Sequence, residues 1–240
     1  MGLIVPAVLP TSREDLEEKL ALLSRIPSVS RVQIDVVDGR FASPASWPYT
    51  TAPKEFLAMV ERAEILSYLD RIAYEIDLMC TDAERMAEAW LALGATRLTF
   101  HAESTTNLGR LLASARRRYG AGDGFASGLV SFGVALNLAS DLVLIEPCLG
   151  EVEYVQFMGI ARIGRQGQPF ERRVFEKIKA FRSKHPKLAI QVDGGVSLEN
   201  AKQLLALGVS DLVVGSALLS ARDPAAEFAK LESLESQYGV

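Results

Sequence analysis

The segment Ala189-Ile-Gln-Val-Asp193-Gly-Gly-Val-Ser197-Leu-Glu-Asn-Ala-Lys-Gln-Leu-Leu-Ala-Leu207-Gly-Val-Ser-Asp211-Leu-Val-Val214-Gly-Ser-Ala217 holds a complete strand–helix–strand unit. It opens on a short β-rich run, Ala189–Val192, and breaks at Asp193-Gly194-Gly195. A helical pattern over Leu198–Leu207 follows. Ser197 stands at its start as a helix cap, and Gly208 stands just past its end, where a left-handed residue stops a helix. A second run, Asp211–Val214, ends at Gly215-Ser216 and leads into a short helical stretch. Parallel strands need such a crossover, so this unit is the building block of an α/β fold.

The rest of the chain repeats it. Strands are expected over Ile4–Leu9, Val32–Val36, Tyr74–Leu78, Leu98–His101, Phe132–Leu136 and Tyr154–Met158, besides the two above. Several read as continuously apolar, as in strands buried on both faces of a parallel sheet. Helices are expected over Glu14–Arg25, Asp82–Leu93 (capped by Thr81 or Asp82, stopped at Gly94), Leu108–Tyr119, Glu171–Ser183 and Pro224–Tyr238. The glycine-rich stretch Gly120–Gly128 reads as a loop. Eight units in 240 residues give 30 residues each, the size of a βα repeat. The expected fold is one (β/α)8 TIM barrel domain over residues 1–240. A doubly wound open sheet is the rival, and no GxGxxG motif follows the first strand to support it.

Composition narrows the function. Apolar residues make up 49% and charged residues 23%, which excludes a disordered chain. Lys and Arg number 26 against 30 Asp and Glu, so the net charge is −4, without the basic footprint of a nucleic-acid binder. Cys80 and Cys148 fit neither a zinc spacing nor a disulfide scaffold. The apolar start, Met1–Pro10, lacks a basic region and reads as a first strand. No apolar run approaches the ~20 residues of a membrane span. A cytoplasmic protein with neither membrane nor nucleic acid as partner is expected.

Barrels of this kind place their chemistry at the C-terminal ends of the strands. Those ends carry Asp35 and Asp38, then Asp77, His101 with Glu103, Asn137, Met158 and Asp193. Four carboxylates, Asp35, Asp38, Asp77 and Asp193, are expected near one mouth. Aspartate is a poor strand former, so its recurrence points either to chemistry or to helix capping; Asp35, inside its strand, favours chemistry. Gly194, Gly195, Gly215 and Ser216 suit a phosphate, because glycine lets backbone N–H groups approach an anion. Gly164, Gly167 and Gln168 belong to a third loop that could cover the same ligand, with Arg162 and Arg165 as positive groups.

These residues resemble a known family. Gln33-Ile-Asp-Val-Val-Asp-Gly-Arg-Phe41, Asp77-Leu-Met79, His101-Ala-Glu103, Val134-Ala-Leu-Asn137, Gly164-Arg-Gln-Gly-Gln168, Val192-Asp-Gly-Gly-Val196 and Gly215-Ser-Ala217 are similar, in the same order, to motifs of the ribulose-phosphate 3-epimerases. The resemblance runs over roughly residues 5–228. It implies a ribulose-phosphate-binding barrel, a homo-oligomer, and inversion at C3 of a ketose phosphate through an enediolate. By position it implies Asp35 and Asp193 as the two acid–base carboxylates. It also implies a metal held by two aspartates and two histidines.

The chain departs from the pattern at the metal. Gln33 and Asp77 stand where the histidines belong, and Ala7 and Pro10 replace two serines of the first strand. The whole chain has only two histidines, His101 and His185, and His185 reads as surface. An all-oxygen set, Gln33, Asp35, Asp77 and Asp193, would suit Mg²⁺ or Mn²⁺ better than Zn²⁺. Three carboxylates around a divalent ion leave the site negative, which opposes an anionic enediolate; the alternative is no metal. Two functions fit: a C3 epimerase of a sugar phosphate, or a phosphate-binding barrel that has lost or changed that chemistry. A decarboxylase of the orotidine-phosphate kind is disfavoured, because Asp35-Val-Val-Asp38 lacks the lysine of that array.

Overall fold

The computed structural model describes residues 3–51, 54–120 and 129–238. Eight parallel strands close into a barrel in chain order: β1 (Leu3–Val8), β2 (Arg31–Val37), β3 (Ala73–Met79), β4 (Arg97–His101), β5 (Ser131–Leu136), β6 (Tyr154–Met158), β7 (Ala189–Asp193) and β8 (Asp211–Val214). The expected strands agree with these to within one residue at each end. The helices are α1 (Arg13–Leu23), α2 (Lys54–Glu61), α3 (Ala83–Ala92), α4 (Leu108–Ala115), α5 (Arg173–Lys184), α6 (Leu198–Ala206), α7 (Ser216–Leu219) and α8 (Pro224–Tyr238).

Local chemistry accounts for the helix ends. Ser12 accepts a hydrogen bond from Asp15 N at 3.1 Å to start α1, and Leu16, Leu20 and Leu23 form its buried face. Ser197 and Asn200 form a reciprocal capping box at α6. Gly94 and Gly208 take φ of +101° and +77° just past α3 and α6, as stop signals should. Asp82 does precede α3, but its carboxylate turns away from the helix backbone and binds Tyr49 and Arg85 instead.

Three helical expectations change. The short α2 was not foreseen; it buries only Phe56 and Met59. The pattern over Leu108–Tyr119 is α-helical to Ala115 and then widens into a π turn, Arg116–Gly120. The crossover from β5 to β6 consists of two 3₁₀ segments, Leu142–Leu144 and Glu146–Glu151. The loop expected at 120–128 lies, from residue 121 on, outside the described residues.

The two faces of each strand meet different surroundings. Ile34, Ile76, Leu98, Phe132, Val155, Ile190 and Leu212 point outward and pack with Leu20, Trp90, Leu112, Phe181 and Leu204 of the helices into one continuous core. Each such side chain contributes about 1.5–3 kcal/mol by leaving water. The inward face stays apolar on β1, as expected of several strands, but is polar along β2, β3, β4 and β7. Side chains alternate along a strand, and polar residues recur at every second position: Arg31, Gln33 and Asp35; Glu75 and Asp77; Arg97, Thr99 and His101; Gln191 and Asp193. Register aligns them in layers, with Gln33 beside Glu75 and Asp35 beside Asp77. Gly133 makes room for the Tyr154 ring, which a Cβ there would strike. Among the described residues, no helix is long and apolar enough to cross a membrane.

Candidate active site

The mouth of the barrel gathers Asp35 from β2, Asp77 from β3 and Asp193 from β7. Each offers one carboxylate oxygen, and the three oxygens lie within 4.8 Å of one another. All three residues are buried. Gln33, one layer down, donates through Nε2 to Asp35 Oδ1 at 2.8 Å and to Asp193 Oδ2 at 3.1 Å. Asp77 meets His101 Nε2 at 2.9 Å through Oδ1, and accepts from Gln156 Nε2 at 3.1 Å through Oδ2. His101 Nδ1 has no hydrogen-bond partner within the described protein.

Beneath this layer Gln191 is the hub. Its Nε2 faces Gln156 Oε1 at 2.8 Å, Gln33 Oε1 at 3.2 Å and Glu75 Oε1. Its Oε1 accepts from Arg97 Nη2 at 3.2 Å. Arg97 also pairs with Glu75 at 2.8 Å and Asp211 at 3.1 Å, and its guanidinium lies 3.5 Å from the centre of the Tyr154 ring. Arg31 reaches Asp211 at 3.1 Å.

Burial, with Asp193 and Asp77 close by, pushes the Asp35 carboxyl well above the ordinary carboxylate range. Burial and the Asp77 charge push Asp193 up to about 7, against the pull of the Gln33 hydrogen bond. Burial disfavours the charged imidazole of His101, but the Asp77 carboxylate outweighs it and the net shift is upward. Two buried carboxyls so close together, both pushed upward, are the electrostatic setting of acid–base catalysis.

Asp35 and Asp193 line a cavity at the mouth together with Gly164, Gly167, Gln168, Gly194, Gly195, Gly215 and Ser216, so all the residues expected at a phosphate are brought to one place. Met79 and Met158 line it too. The loop after β6 closes over the cavity. Gln166 donates to Ala7 O at 3.1 Å, Arg165 Nε donates to Ser43 O at 3.0 Å, and Gly164, at φ +84°, packs on Ala42. The space left beneath it is about 40 Å³.

Other expected residues serve elsewhere. Asp38 does not join the carboxylate cluster. Its Oδ1 accepts from Arg40 N and Phe41 N at 2.7 Å, and its Oδ2 accepts from Thr81 N at 2.8 Å, so it ties the loop after β2 to the loop after β3. These bonds hold its carboxyl below the usual range despite partial burial. Glu103 Oε1 accepts from Asn137 N at 2.8 Å and joins two neighbouring loops. Arg162 is exposed and offers its backbone carbonyl to Gln168. His185 is half-buried against Phe181, 4.7 Å between ring centres, rather than free on the surface.

A model of the ribulose-phosphate 3-epimerase family matches residues 3–219. The chain belongs to this family. Curated relatives named ribulose-phosphate 3-epimerase include one from Aquifex aeolicus, 26% identical across 98% of this chain and 97% of its own length. Another, from Mycobacterium leprae, is 28% identical across 95% and 93%. Solved structures share the fold at lower identity. A 3-hexulose-6-phosphate synthase from Salmonella typhimurium superposes with TM-score 0.68 at 16% identity, covering 99% of this chain and all of its own. A 3-keto-L-gulonate-6-phosphate decarboxylase from Vibrio cholerae gives 0.67 at 14% identity, covering 100% and 99%.

Several interior residues escaped the sequence reading: Glu75, Arg97, Gln156, Gln191 and Tyr154. Their signal was present as polar residues at every second position inside short apolar strands, the period of one face.

Proposed function

We propose that this protein inverts C3 of a phosphorylated ketose, D-ribulose 5-phosphate to D-xylulose 5-phosphate or a related sugar phosphate. The observation that carries this reading is the placement of Asp35 and Asp193 together in one cavity that is also lined by glycine loops, where the lack of side chains lets a phosphate approach the backbone. One carboxylate removes the C3 proton, and the electron pair of that C–H bond moves into the adjacent carbonyl to give an enediolate. The other carboxyl returns a proton to the opposite face of C3. The two roles require one ionised and one protonated group, and the buried pair, both pushed upward, suits that division. Ligand pockets usually exceed about 300 Å³, so the loop carrying Gln166 must lift to admit a sugar phosphate.

The three clustered carboxylates are groups a divalent ion such as Mg²⁺ or Mn²⁺ could bridge. Their surroundings do not fit one as they stand. The Asp35 and Asp193 oxygens nearest Gln33 already accept its N–H groups, both Asp77 oxygens meet nitrogens, and Gln33 turns its nitrogen rather than its oxygen toward the cluster. No step of the mechanism is therefore routed through a metal.

Incubation with D-ribulose 5-phosphate in D₂O tests the reading: deuterium at C3 and formation of xylulose 5-phosphate are expected by NMR. Failure of both, with or without Mg²⁺ or Mn²⁺, overturns it. The replacements Gln33, Asp77, Ala7 and Pro10 favour a second reading, a barrel that binds sugar phosphates without epimerising them; a rise in melting temperature with ribulose 5-phosphate and no exchange would select it.

A further inference from the structure

The side-chain amides inside the barrel form a directed chain, and its direction starts at Arg97. A guanidinium only donates, so the Gln191 oxygen must face it, and the Gln191 nitrogen must face the opposite way. Two hydrogens of that nitrogen are shared among oxygens of Gln33, Gln156 and Glu75. With their oxygens turned to Gln191, Gln33 and Gln156 have only nitrogens left to present to the mouth. Gln156 gives its nitrogen to Asp77, and Gln33 gives its nitrogen to both Asp35 and Asp193. Reversing Gln33 would set its nitrogen against the Gln191 nitrogen and turn its oxygen to Asp35 and Asp193, where only a protonated carboxyl could donate to it, so the network resists the flip. Gln33, Gln156, Gln191, Glu75 and the three aspartates are buried and Arg97 is half-buried, so an unmatched polar group among them is costly.

We propose that the Gln33 amide, held nitrogen-inward by Gln191 and Arg97, takes the place of a divalent cation between Asp35 and Asp193, and that the acid–base pair works without a metal. The inference rests on the reading of Asp35 and Asp193 as the proton-transfer pair, and it extends that reading to what holds them together. A bridging cation draws two carboxylates together by charge; an amide NH₂ does so with two hydrogen bonds, one to each. Gln33 acts on the carboxylates directly, whereas Gln191 and Arg97 are positioning residues that act through it.

The test uses Mn²⁺ as probe and melting temperature as readout, with turnover measured separately. The wild-type melting temperature should not respond to Mn²⁺, and any epimerase activity should survive dialysis against a chelator. Gln33→Glu removes both donors and adds an oxygen ligand; it should lower the melting temperature, and Mn²⁺ should restore it. Gln191→Leu frees Gln33 to turn its oxygen to the mouth and should confer a Mn²⁺-dependent rise. A merely structural loss would lower the melting temperature equally with and without the ion. A Mn²⁺-induced rise in the wild-type protein that Asp77→Asn abolishes would overturn the inference, as would activity lost on chelation and regained with Mn²⁺. Should the protein exchange no C3 proton at all, the proposed reaction fails, while the wild-type response to Mn²⁺ still decides the role of the amide.

Discussion

At the base of the barrel two arginines face two carboxylates; at the mouth three aspartates face one histidine. Arg31 and Arg97 meet Glu75 and Asp211 in a ring of ion pairs from 2.8 to 3.8 Å, closed below by the stack of Arg97 on Tyr154. Among the described residues, the hydrogen-bond partners of Asp35, Asp77 and Asp193 in the cluster are one group able to carry positive charge, His101, and the neutral amides of Gln33 and Gln156. The carboxylates of both ends are buried, the two arginines of the base are half-buried, and both ends hang on the same eight strands. The base is balanced and serves the fold. The mouth concentrates like charge, which costs stability and is tolerated where it raises carboxyl pKa values for chemistry.

The sharpest way to break that contrast is at the mouth. Asp193→Asn keeps the size of the side chain and an oxygen to accept from Gln33, but it cannot exchange a proton. Turnover of ribulose 5-phosphate should fall by about 10²–10⁴-fold, the usual worth of a positioned acid–base group. Binding of the sugar phosphate, read by calorimetry, should persist. Surviving turnover would remove Asp193 from the acid–base pair.

The matching change at the base should act on stability. Arg97→Met leaves Glu75, wholly buried, without its closest cation, and deprives Asp211 and Gln191 of a donor. Breaking a buried pair on one side typically costs about 3–5 kcal/mol, which urea unfolding would show as a lower midpoint. A midpoint equal to that of the wild type would mean that the base ring does not support the fold.

How much of this was legible in sequence differs between the same regions. The mouth was readable because aspartates and glycines are out of character at strand ends, so Asp35, Asp77 and Asp193 stood out. Asp38 stood out for the same reason and misled, since the loop backbone, not the cavity, claims its carboxylate. The base was missed because Arg31 and Arg97 open their strands, where an arginine looks like solvated surface. Only closure of the barrel brings Arg97 to Asp211, residues far apart in the chain. The amide direction at Gln33 was out of reach for a similar reason, because it is set by Gln191 across the barrel. The strands themselves were plain in sequence, whereas α2 was too short for its periodicity to declare it.

The glycine loops at the mouth offer a smaller effect and separate two glycines that look alike in sequence. Gly195 has φ +68°, and a Cβ there would lie 2.8 Å from the Phe170 backbone, so substitution would strain the fold. Gly215 is the cleaner probe. A Cβ there would meet the side-chain amide of Gln166, Nε2 at 2.7 Å and Cδ at 3.1 Å, with Ala7 O beyond at 3.6 Å. Gly215→Ala, which adds only that Cβ, should weaken ribulose 5-phosphate binding by about tenfold or more, roughly 1.4 kcal/mol, by calorimetry. Unchanged affinity would place the phosphate away from β8.

The mildest perturbation changes only the solvent. In the unfolded chain an aspartate ionises near 3.8, while in the folded protein Asp193 holds its proton to about 7 and Asp35 holds its own well above the ordinary range. Between those limits the folded state binds more protons than the unfolded one, so stability must fall as pH rises. His101 works in the same sense, since its raised pKa favours folding at low pH and that favour is lost as pH rises through the folded value. Glu75 at the base is also pushed up by burial, but Arg97 opposes the shift. The urea midpoint should therefore decline between about pH 4 and pH 7, and Asp193→Asn should flatten the decline more than it changes the midpoint at pH 4. An equal slope in the variant would mean that Asp193 ionises at its ordinary pH inside the barrel, and the mouth would then need a cation that the amides do not supply.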